Sequence, residues 1–162
     1  MLVSTPVVRA ALLLIAVSLG AIACSPAPTP SRSSAPTATV ESAARAYSAF
    51  TASWRSRYAD ALNAAAAAAD AADADASSIS DYARQLGDAY QAYLDGLQGI
   101  EYPPSVHDAV ALELESLDSL VALARNLAAD PSNLPLKTQL QAALGRLTER
   151  SAAVEAALNL SP

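Results

Sequence analysis

The sequence contains very few of the residues from which metal and catalytic sites are most often built. Its 162 residues include one cysteine, Cys24, and one histidine, His107. A lone cysteine excludes an internal disulfide, and the two residues together lack the number and spacing of ligands in a zinc site. Position 104, three residues before His107, is a proline, so the Glu-x-x-His motif of di-iron helical bundles is missing too. We therefore expect no metal and no cofactor.

His107 is also the only histidine available as a base for nucleophilic catalysis, which needs a base held against a nucleophile. Nothing near His107 in the sequence indicates such a nucleophile, and the residue stands at the start of a predicted helix. We interpret it as a surface or capping residue. We expect no catalytic residues and predict that the protein is not an enzyme.

Basic residues are scarce as well. The ten lysines and arginines are outnumbered by sixteen aspartates and glutamates, which gives a formal net charge of −6. Binding DNA or RNA needs a basic surface that displaces counterions, so we expect no nucleic-acid partner. Nine acidic residues lie between positions 77 and 130, against only Arg84 and Arg125. This excess predicts an acidic surface that repels anionic lipid or attracts a basic partner.

Three of these acids, Asp81, Asp88 and Asp95, are spaced seven residues apart. Seven residues advance a helix by about two turns, so the three carboxylates line up on one face. Calcium needs several oxygens that converge on one point, whereas neighbours in this row lie about 10 Å apart. We interpret the row as a solvent-exposed face rather than a calcium site.

The amino terminus has the pattern of an export signal. An apolar segment at residues 10–23 follows Arg9 and is shorter than the roughly 20 residues that span a bilayer. It ends in Ala21-Ile22-Ala23 before Cys24, which resembles the bacterial lipobox, although leucine usually stands where Ala21 does. The resemblance implies that residues 1–23 are a signal peptide removed by signal peptidase II. It also implies that Cys24 carries a lipid anchor on the extracytoplasmic face of the cell membrane.

Residues 24–38 follow as a segment rich in proline and serine, with Pro26, Pro28, Pro30 and Pro36. Proline lacks a backbone donor and fixes φ, so this composition predicts neither a helix nor a central strand. We interpret the segment as a semi-extended tether between the membrane and a folded domain at 39–162. Its serine and threonine content is also compatible with O-glycosylation.

The folded part has a helical period and little material for a core apart from alanine and leucine. Hydrophobic residues make up 52 % of the chain, but phenylalanine and tryptophan occur once each. Apolar residues recur at steps of three and four, the spacing of a helix face. Four such stripes begin at Tyr47, Ile79, Val106 and Leu136. Four helices with short connections predict an all-α fold, an up-down-up-down four-helix bundle.

The predicted first helix, residues 41–76, is longer than its neighbours. At 1.5 Å per residue it extends about 54 Å, against about 32 Å for the second helix. We expect it to fray through its last acids, Asp70, Asp73 and Asp75, because that segment offers little apolar area.

Capping and helix-breaking residues predict the other boundaries. Ser78 is the expected cap of the second helix, and Gly99 is expected to close that helix in the left-handed conformation. Pro103-Pro104 suits the first turn of the third helix. The break at "DPSNLP" precedes the fourth helix, with Ser132 or Asn133 as its cap.

Aromatic residues gather at one end of the predicted bundle. Antiparallel packing places the start of the first helix beside the end of the second. It therefore brings Tyr47, Phe50, Trp54 and Tyr58 near Tyr90, Tyr93 and Tyr102. Aromatics at helical spacing usually form core packing. The alternative is a ligand pocket made by Trp54, Tyr58, Tyr90 and Tyr93.

The whole arrangement resembles the small alanine-rich helical lipoproteins of high-GC Gram-positive bacteria. The segments "IEYPPSVHDA" and "AALNLSP" are similar to that group, and the resemblance implies a location and a fold. The first functional hypothesis is a non-enzymatic, membrane-tethered interaction or spacer module whose partner is a basic or apolar envelope protein. The alternative is a lipoprotein that binds a small apolar or aromatic ligand at the aromatic end of the bundle.

Overall fold

A computed structural model describes residues 37–71 and 74–160 of the chain. The predicted signal peptide at 1–23, the predicted lipidation site Cys24 and the tether up to residue 36 lie outside the described residues.

Four α-helices make up the described part, and a short 3-10 turn at Pro104–Val106 precedes the third. Their bounds are α1 Val40–Ala69, α2 Ala76–Gln98, α3 His107–Ala129 and α4 Leu134–Ala157. No strand occurs among the described residues. The predicted all-α four-helix bundle is confirmed.

Hydrogen bonds between neighbouring helices fix their antiparallel order. The indole N–H of Trp54 on α1 donates to the backbone oxygen of Ala89 on α2 at 2.8 Å. Ser80, near the start of α2, donates to the backbone oxygen of Ala128 at the end of α3 at 2.8 Å. Tyr47, near the start of α1, also meets Tyr93, near the end of α2, and Glu113 in the first half of α3 meets Ser151 late in α4. Because residues early in one helix meet residues late in the next, the chain runs up and down through the bundle.

The helices do not enclose the core evenly. α1 packs along α2, α2 along α3 and α3 along α4, whereas α1 and α4 stay further apart. Their ends remain linked at one point, where the ammonium of Lys137 lies 3.4 Å from the carboxylate of Asp70. The separation of α1 from α4 leaves one side of the bundle open.

Side-chain caps define the helix starts, and one predicted cap is wrong. Asp75, rather than Ser78, caps α2, because its carboxylate accepts a hydrogen bond from the Ser78 backbone N–H at 2.8 Å. Thr39 caps α1 in a reciprocal arrangement with Ser42. The side chain of Asn133 caps α4, as predicted.

The predicted left-handed closure of α2 is also wrong. Gly99 has φ −79° and ψ −6°, an ordinary right-handed conformation, and its N–H bonds back to the carbonyls of Gly96 and Leu97. The short i−3 bond tightens the last turn, so the helix ends without a residue at positive φ. Pro104 begins the 3-10 turn before α3, where its missing N–H costs nothing.

α1 ends at Ala69, seven residues before the predicted end. Its buried face also differs from the stripe predicted by steps of three and four from Tyr47, which includes Ala61, Ala65 and Ala68. Ala61 and Ala68 are exposed, whereas Leu62 is half-buried and Ala69 is buried. A run of alanines looks alike on every face, so hydrophobicity alone cannot set its rotation.

The core is built mainly by α2, α3 and α4. Its fully buried large side chains include Leu97, Leu117, Leu120, Leu127 and Val154. No described helix combines the length and the apolar character needed to cross a membrane.

Candidate functional site

Among the described residues, one charged side chain, Glu113 of α3, is fully buried in the core. It lies in step with the buried residues Val110 and Leu117, on the face that α3 turns inward. The hydroxyl of Ser151 on α4 donates a short hydrogen bond of 2.6 Å to Glu113 Oε1. The hydroxyl of Tyr47 on α1 donates to the same oxygen at 3.1 Å. Glu113 thereby joins α1, α3 and α4.

A second tyrosine extends this network to α2. The hydroxyl oxygens of Tyr47 and Tyr93 lie 3.4 Å apart. Because Tyr47 gives its single proton to Glu113, Tyr93 is the donor in that contact. We refer to Glu113, Tyr47, Tyr93 and Ser151 as the Glu113 network. Each of the four helices contributes one member to it.

The pKa values in this region are shifted by burial. Burial raises the pKa of the Glu113 carboxyl, while hydrogen bonds from Ser151 and Tyr47 oppose that shift and the charge of Glu155 adds to it. Burial, followed by the charge of Glu113, raises the pKa of the Tyr47 and Tyr93 hydroxyls. Both tyrosines therefore stay protonated and remain donors at neutral pH.

Tyr102, which follows α2, also lies within the electrostatic reach of Glu113. Burial and then the charge of Glu113 raise the pKa of its hydroxyl. That hydroxyl is buried and has no hydrogen-bond partner among the described residues. Leaving a buried polar group without a hydrogen-bond partner costs free energy. Together with the Glu113 network, this hydroxyl gives the interior of the bundle a polar character at this end.

The predicted aromatic cluster forms next to the Glu113 network. The ring centroid of Trp54 lies 4.9 Å from that of Tyr93, 5.2 Å from that of Tyr90 and 5.6 Å from that of Tyr58. Phe50 lies 5.4 Å from Tyr93. These separations are those of favourable aromatic pairs. The hydrogen bond to Ala89 holds the indole of Trp54 in place.

The cluster and the network meet in a groove between α1 and α4. The groove has a volume of about 350 Å³ and is partly open to solvent. We call it the α1–α4 groove. Its lining residues are Tyr47, Thr51, Trp54 and Arg55 of α1, Tyr90 and Tyr93 of α2, and Leu144, Leu147, Thr148, Ser151, Ala152 and Glu155 of α4.

The structure brings three of the four predicted pocket residues together in this groove. Trp54, Tyr90 and Tyr93 line it. Tyr58 contacts Trp54 one helical turn further along α1 and is not among the lining residues. Binding of a ligand by these residues stays a prediction.

No model of a known protein family, no curated protein and no solved structure is matched by this chain. The groove offers aromatic surface, a few hydroxyls, the carboxylate of Glu155 and the guanidinium of Arg55. These groups are suited to holding a small molecule by contact and charge.

Other residues singled out from the sequence lie at the surface. His107 is exposed, and its Nε2 lies 2.9 Å from the backbone oxygen of Tyr102. Asp81, Asp88 and Asp95 are exposed on α2, as predicted for that row. Within 37–71 and 74–160, no group of three or more histidines, cysteines or acids is arranged to hold a metal ion.

The sequence reasoning missed the role of Glu113, which it counted among nine surface acids. Glu113 is the exception, because it is buried while the other acids of residues 77–130 are exposed. The signal was present: Glu113 falls three residues after Val110 and four before Leu117, in phase with an apolar stripe. Ser151 likewise interrupts the apolar stripe of α4. Two polar residues at core positions of adjacent helices indicate a buried hydrogen bond.

Proposed function

We propose that this protein is a lipid-anchored, extracytoplasmic binding protein that performs no chemical step and holds a small ligand in the α1–α4 groove. The single observation that carries the proposal is the groove itself, with Trp54, Tyr90 and Tyr93 on its walls. The lipid anchor on Cys24 rests on the resemblance to a lipobox, and the ligand site rests on the groove.

The dimensions and the lining of the groove support this function. Small-molecule sites are typically clefts of about 300–1,000 Å³, lined by apolar and aromatic side chains with a few polar groups. The α1–α4 groove has a volume of about 350 Å³ and combines three aromatic rings with Leu144 and Leu147. Its polar lining includes Thr51 and Arg55 of α1 and Thr148, Ser151 and Glu155 of α4. Apolar contact gives such a site affinity, and the polar groups orient the ligand.

Native mass spectrometry of the protein, extracted gently from its own envelope, tests the proposal. We expect a retained mass of small-molecule size in addition to the lipid anchor. Ala152→Phe fills the groove from its exposed α4 wall, and we expect it to abolish that mass. Ala153→Phe is the matched control, because Ala153 is equally exposed on α4 but does not line the groove. A retained mass that is the same in both variants would place the ligand elsewhere.

The anchor has an independent test. Intact mass of the mature protein is expected to include a diacylglyceryl group on Cys24 and to lose it in Cys24→Ser. An unmodified wild-type cysteine, with the signal segment still attached, would contradict the proposed location at the membrane. It would leave the proposal for the groove unaffected.

An interaction or spacer module for the cell envelope is the second candidate, and the acidic face of α2 favours it. Asp81, Asp88 and Asp95 are exposed in one row. Such a row attracts a basic partner through long-range electrostatics. If replacing the three aspartates by asparagine removes a protein that co-purifies with the wild type, this candidate is supported. If Ala152→Phe removes it instead, the groove is the contact.

A further inference from the structure

We infer that the ligand of the α1–α4 groove is an uncharged polyhydroxyl compound, a sugar or a similar polyol. This inference deepens the proposed function and rests on it. It is drawn from the direction of the hydrogen bonds that the groove hydroxyls make, from the balance of charge in the lining, and from the aromatic rings.

The two threonines of the groove have already donated their hydroxyl protons. Thr51 of α1 donates to the backbone oxygen of Ser48 at 3.2 Å. Thr148 of α4 donates to the backbone oxygen of Leu144 at 3.1 Å. A backbone oxygen can only accept, so the direction of both bonds is fixed. Each hydroxyl therefore offers a ligand an acceptor and no donor.

The Glu113 network uses the protons of three more groove hydroxyls. Ser151 and Tyr47 line the groove, and both donate to the carboxylate of Glu113, which is buried behind them. Tyr93 also lines the groove, and its hydroxyl lies 3.4 Å from that of Tyr47. Because Tyr47 gives its proton to Glu113, Tyr93 donates to Tyr47. The capacity left to these hydroxyls is again that of acceptors.

A ligand of this groove therefore has to bring hydrogen-bond donors of its own. The carboxylate of Glu155, which also lines the groove, adds a further acceptor. An apolar ligand would displace water from these oxygens and leave them unpaired, which costs free energy. A ligand with several O–H groups replaces the lost water at each of them.

The charges of the lining favour a ligand without net charge. They are the guanidinium of Arg55 and the carboxylate of Glu155, and neither takes part in the ion pairs formed among the described residues. A guanidinium only donates and a carboxylate only accepts, whereas a ligand hydroxyl does both and serves either group. The hydroxyl of Tyr90, which can donate as well as accept, is served in the same way.

The aromatic rings favour a sugar among polyhydroxyl compounds. Trp54 and Tyr90 are half-buried, and their ring centroids lie 5.2 Å apart. The indole N–H of Trp54 is bonded to the backbone oxygen of Ala89, so this residue offers a ligand its ring and not its donor. The face of an aromatic ring carries partial negative charge, and the C–H groups of a sugar ring pack favourably against it.

The test uses three soluble probes, the methyl glycopyranosides of glucose, galactose and mannose, each beside its fully O-methylated derivative. The derivative keeps the oxygen atoms as acceptors but has no O–H donor. Trp54 is the only tryptophan of the chain, so its fluorescence reports on the groove, and saturation-transfer NMR detects binding independently. We expect at least one glycoside to bind with a Kd at least tenfold below that of its derivative. Added salt is expected to leave that Kd unchanged.

Two threonines of α4 provide a matched pair of variants. Thr148→Val removes an acceptor oxygen from the groove and keeps the shape of the side chain. Thr138→Val makes the same change outside the groove, because Thr138 is also exposed and also donates to the backbone oxygen four residues earlier. We expect Thr148→Val to raise the Kd of the bound glycoside at least threefold and Thr138→Val to leave it unchanged.

The outcomes separate this inference from the proposed function. Binding of none of the three glycosides, equal Kd values for a glycoside and its derivative, or equal effects of Thr148→Val and Thr138→Val would each overturn the polyhydroxyl ligand. The groove would then still be a ligand site if the mass retained from the envelope disappears in Ala152→Phe. A wild type that retains no small molecule would overturn the proposed function itself.

Discussion

At the scale of single residues, the fold depends on a carboxylate that has no contact with water. Glu113 replaces its hydration with hydroxyl groups from Ser151 and Tyr47. A hydrogen bond to a charged group contributes about 1.5–3 kcal/mol, but the loss of hydration on burial opposes that gain. The raised pKa of Glu113 means that burial outweighs the hydrogen bonds. The network therefore specifies how the four helices meet at some cost in stability near neutral pH.

The raised pKa of Glu113 predicts that the free energy of unfolding depends on pH. Because the pKa of Glu113 is higher in the folded than in the unfolded chain, the folded chain holds an extra proton between the two values. The contribution of Glu113 to the free energy of unfolding is therefore greatest below the unfolded pKa and falls as pH rises through the folded one. Urea unfolding of wild type and Glu113→Gln from about pH 4 to pH 8 measures it, since glutamine does not titrate.

We expect the wild type to lose stability relative to Glu113→Gln as pH rises. The ionisable groups that act on Glu113 from the other elements are Tyr47, Tyr93, Tyr102 and Glu155. The three tyrosines keep their protons throughout this range because their pKa values are raised. Glu115→Gln, an exposed change on the same helix, is the control and should show no such trend. A stability difference that stays constant with pH would contradict the prediction.

At the scale of elements, two glycines in helices have opposite surroundings. A Cβ placed on Gly96 of α2 would overlap the ring of Phe50 on α1, whereas one on Gly145 of α4 meets nothing within 4 Å. The close approach of α1 to α2 therefore depends on the missing side chain at Gly96. The same close approach places the ring of Phe50 next to that of Tyr93, which lines the groove.

Replacing each glycine by alanine separates helix propensity from packing. Gly145→Ala is expected to raise the free energy of unfolding by about 0.5–1 kcal/mol, because glycine is poor in a helix interior. Gly96→Ala makes the same gain but displaces Phe50, and overpacking typically costs about 1–3 kcal/mol. We expect a net loss for Gly96→Ala, together with altered Trp54 fluorescence. Equal stability of the two variants in urea unfolding would show that Phe50 moves aside freely.

At the scale of the whole molecule, the sequence was informative where side chains differ and uninformative where they are alike. The helical period and the breaks at proline predicted four antiparallel helices and the aromatic cluster. Helix α1 ends at Ala69, where fraying was expected to begin, but its rotation was missed because its alanines give no preferred face between Leu62 and Ala69. The Glu113 network was missed because a glutamate in a helix is usually exposed, and only its partners on three other helices explain its burial.

The uneven distribution of buried side chains among the helices predicts that α1 is the least stable helix of the bundle. Its buried residues are Ala43, Ala44 and Tyr47 near its start and Ala69 at its end, so the long middle has no fully buried side chain. α3 has seven buried residues, distributed from Val110 to Leu127. Helices that bury little apolar surface open locally at lower free energy than the global unfolding.

Amide hydrogen exchange followed by mass spectrometry measures this difference. We expect peptides from residues 51–68 to exchange at least tenfold faster than peptides from residues 110–127, with α2 and α4 between them. Because the α1–α4 groove is closed on one side only by α1, a probe that binds there should slow exchange around Trp54 more than in α3. Uniform exchange in all four helices would mean that the bundle opens only as a whole. The groove would then be a fixed feature of the fold, whereas faster exchange in α1 would mean that this wall of the groove opens locally.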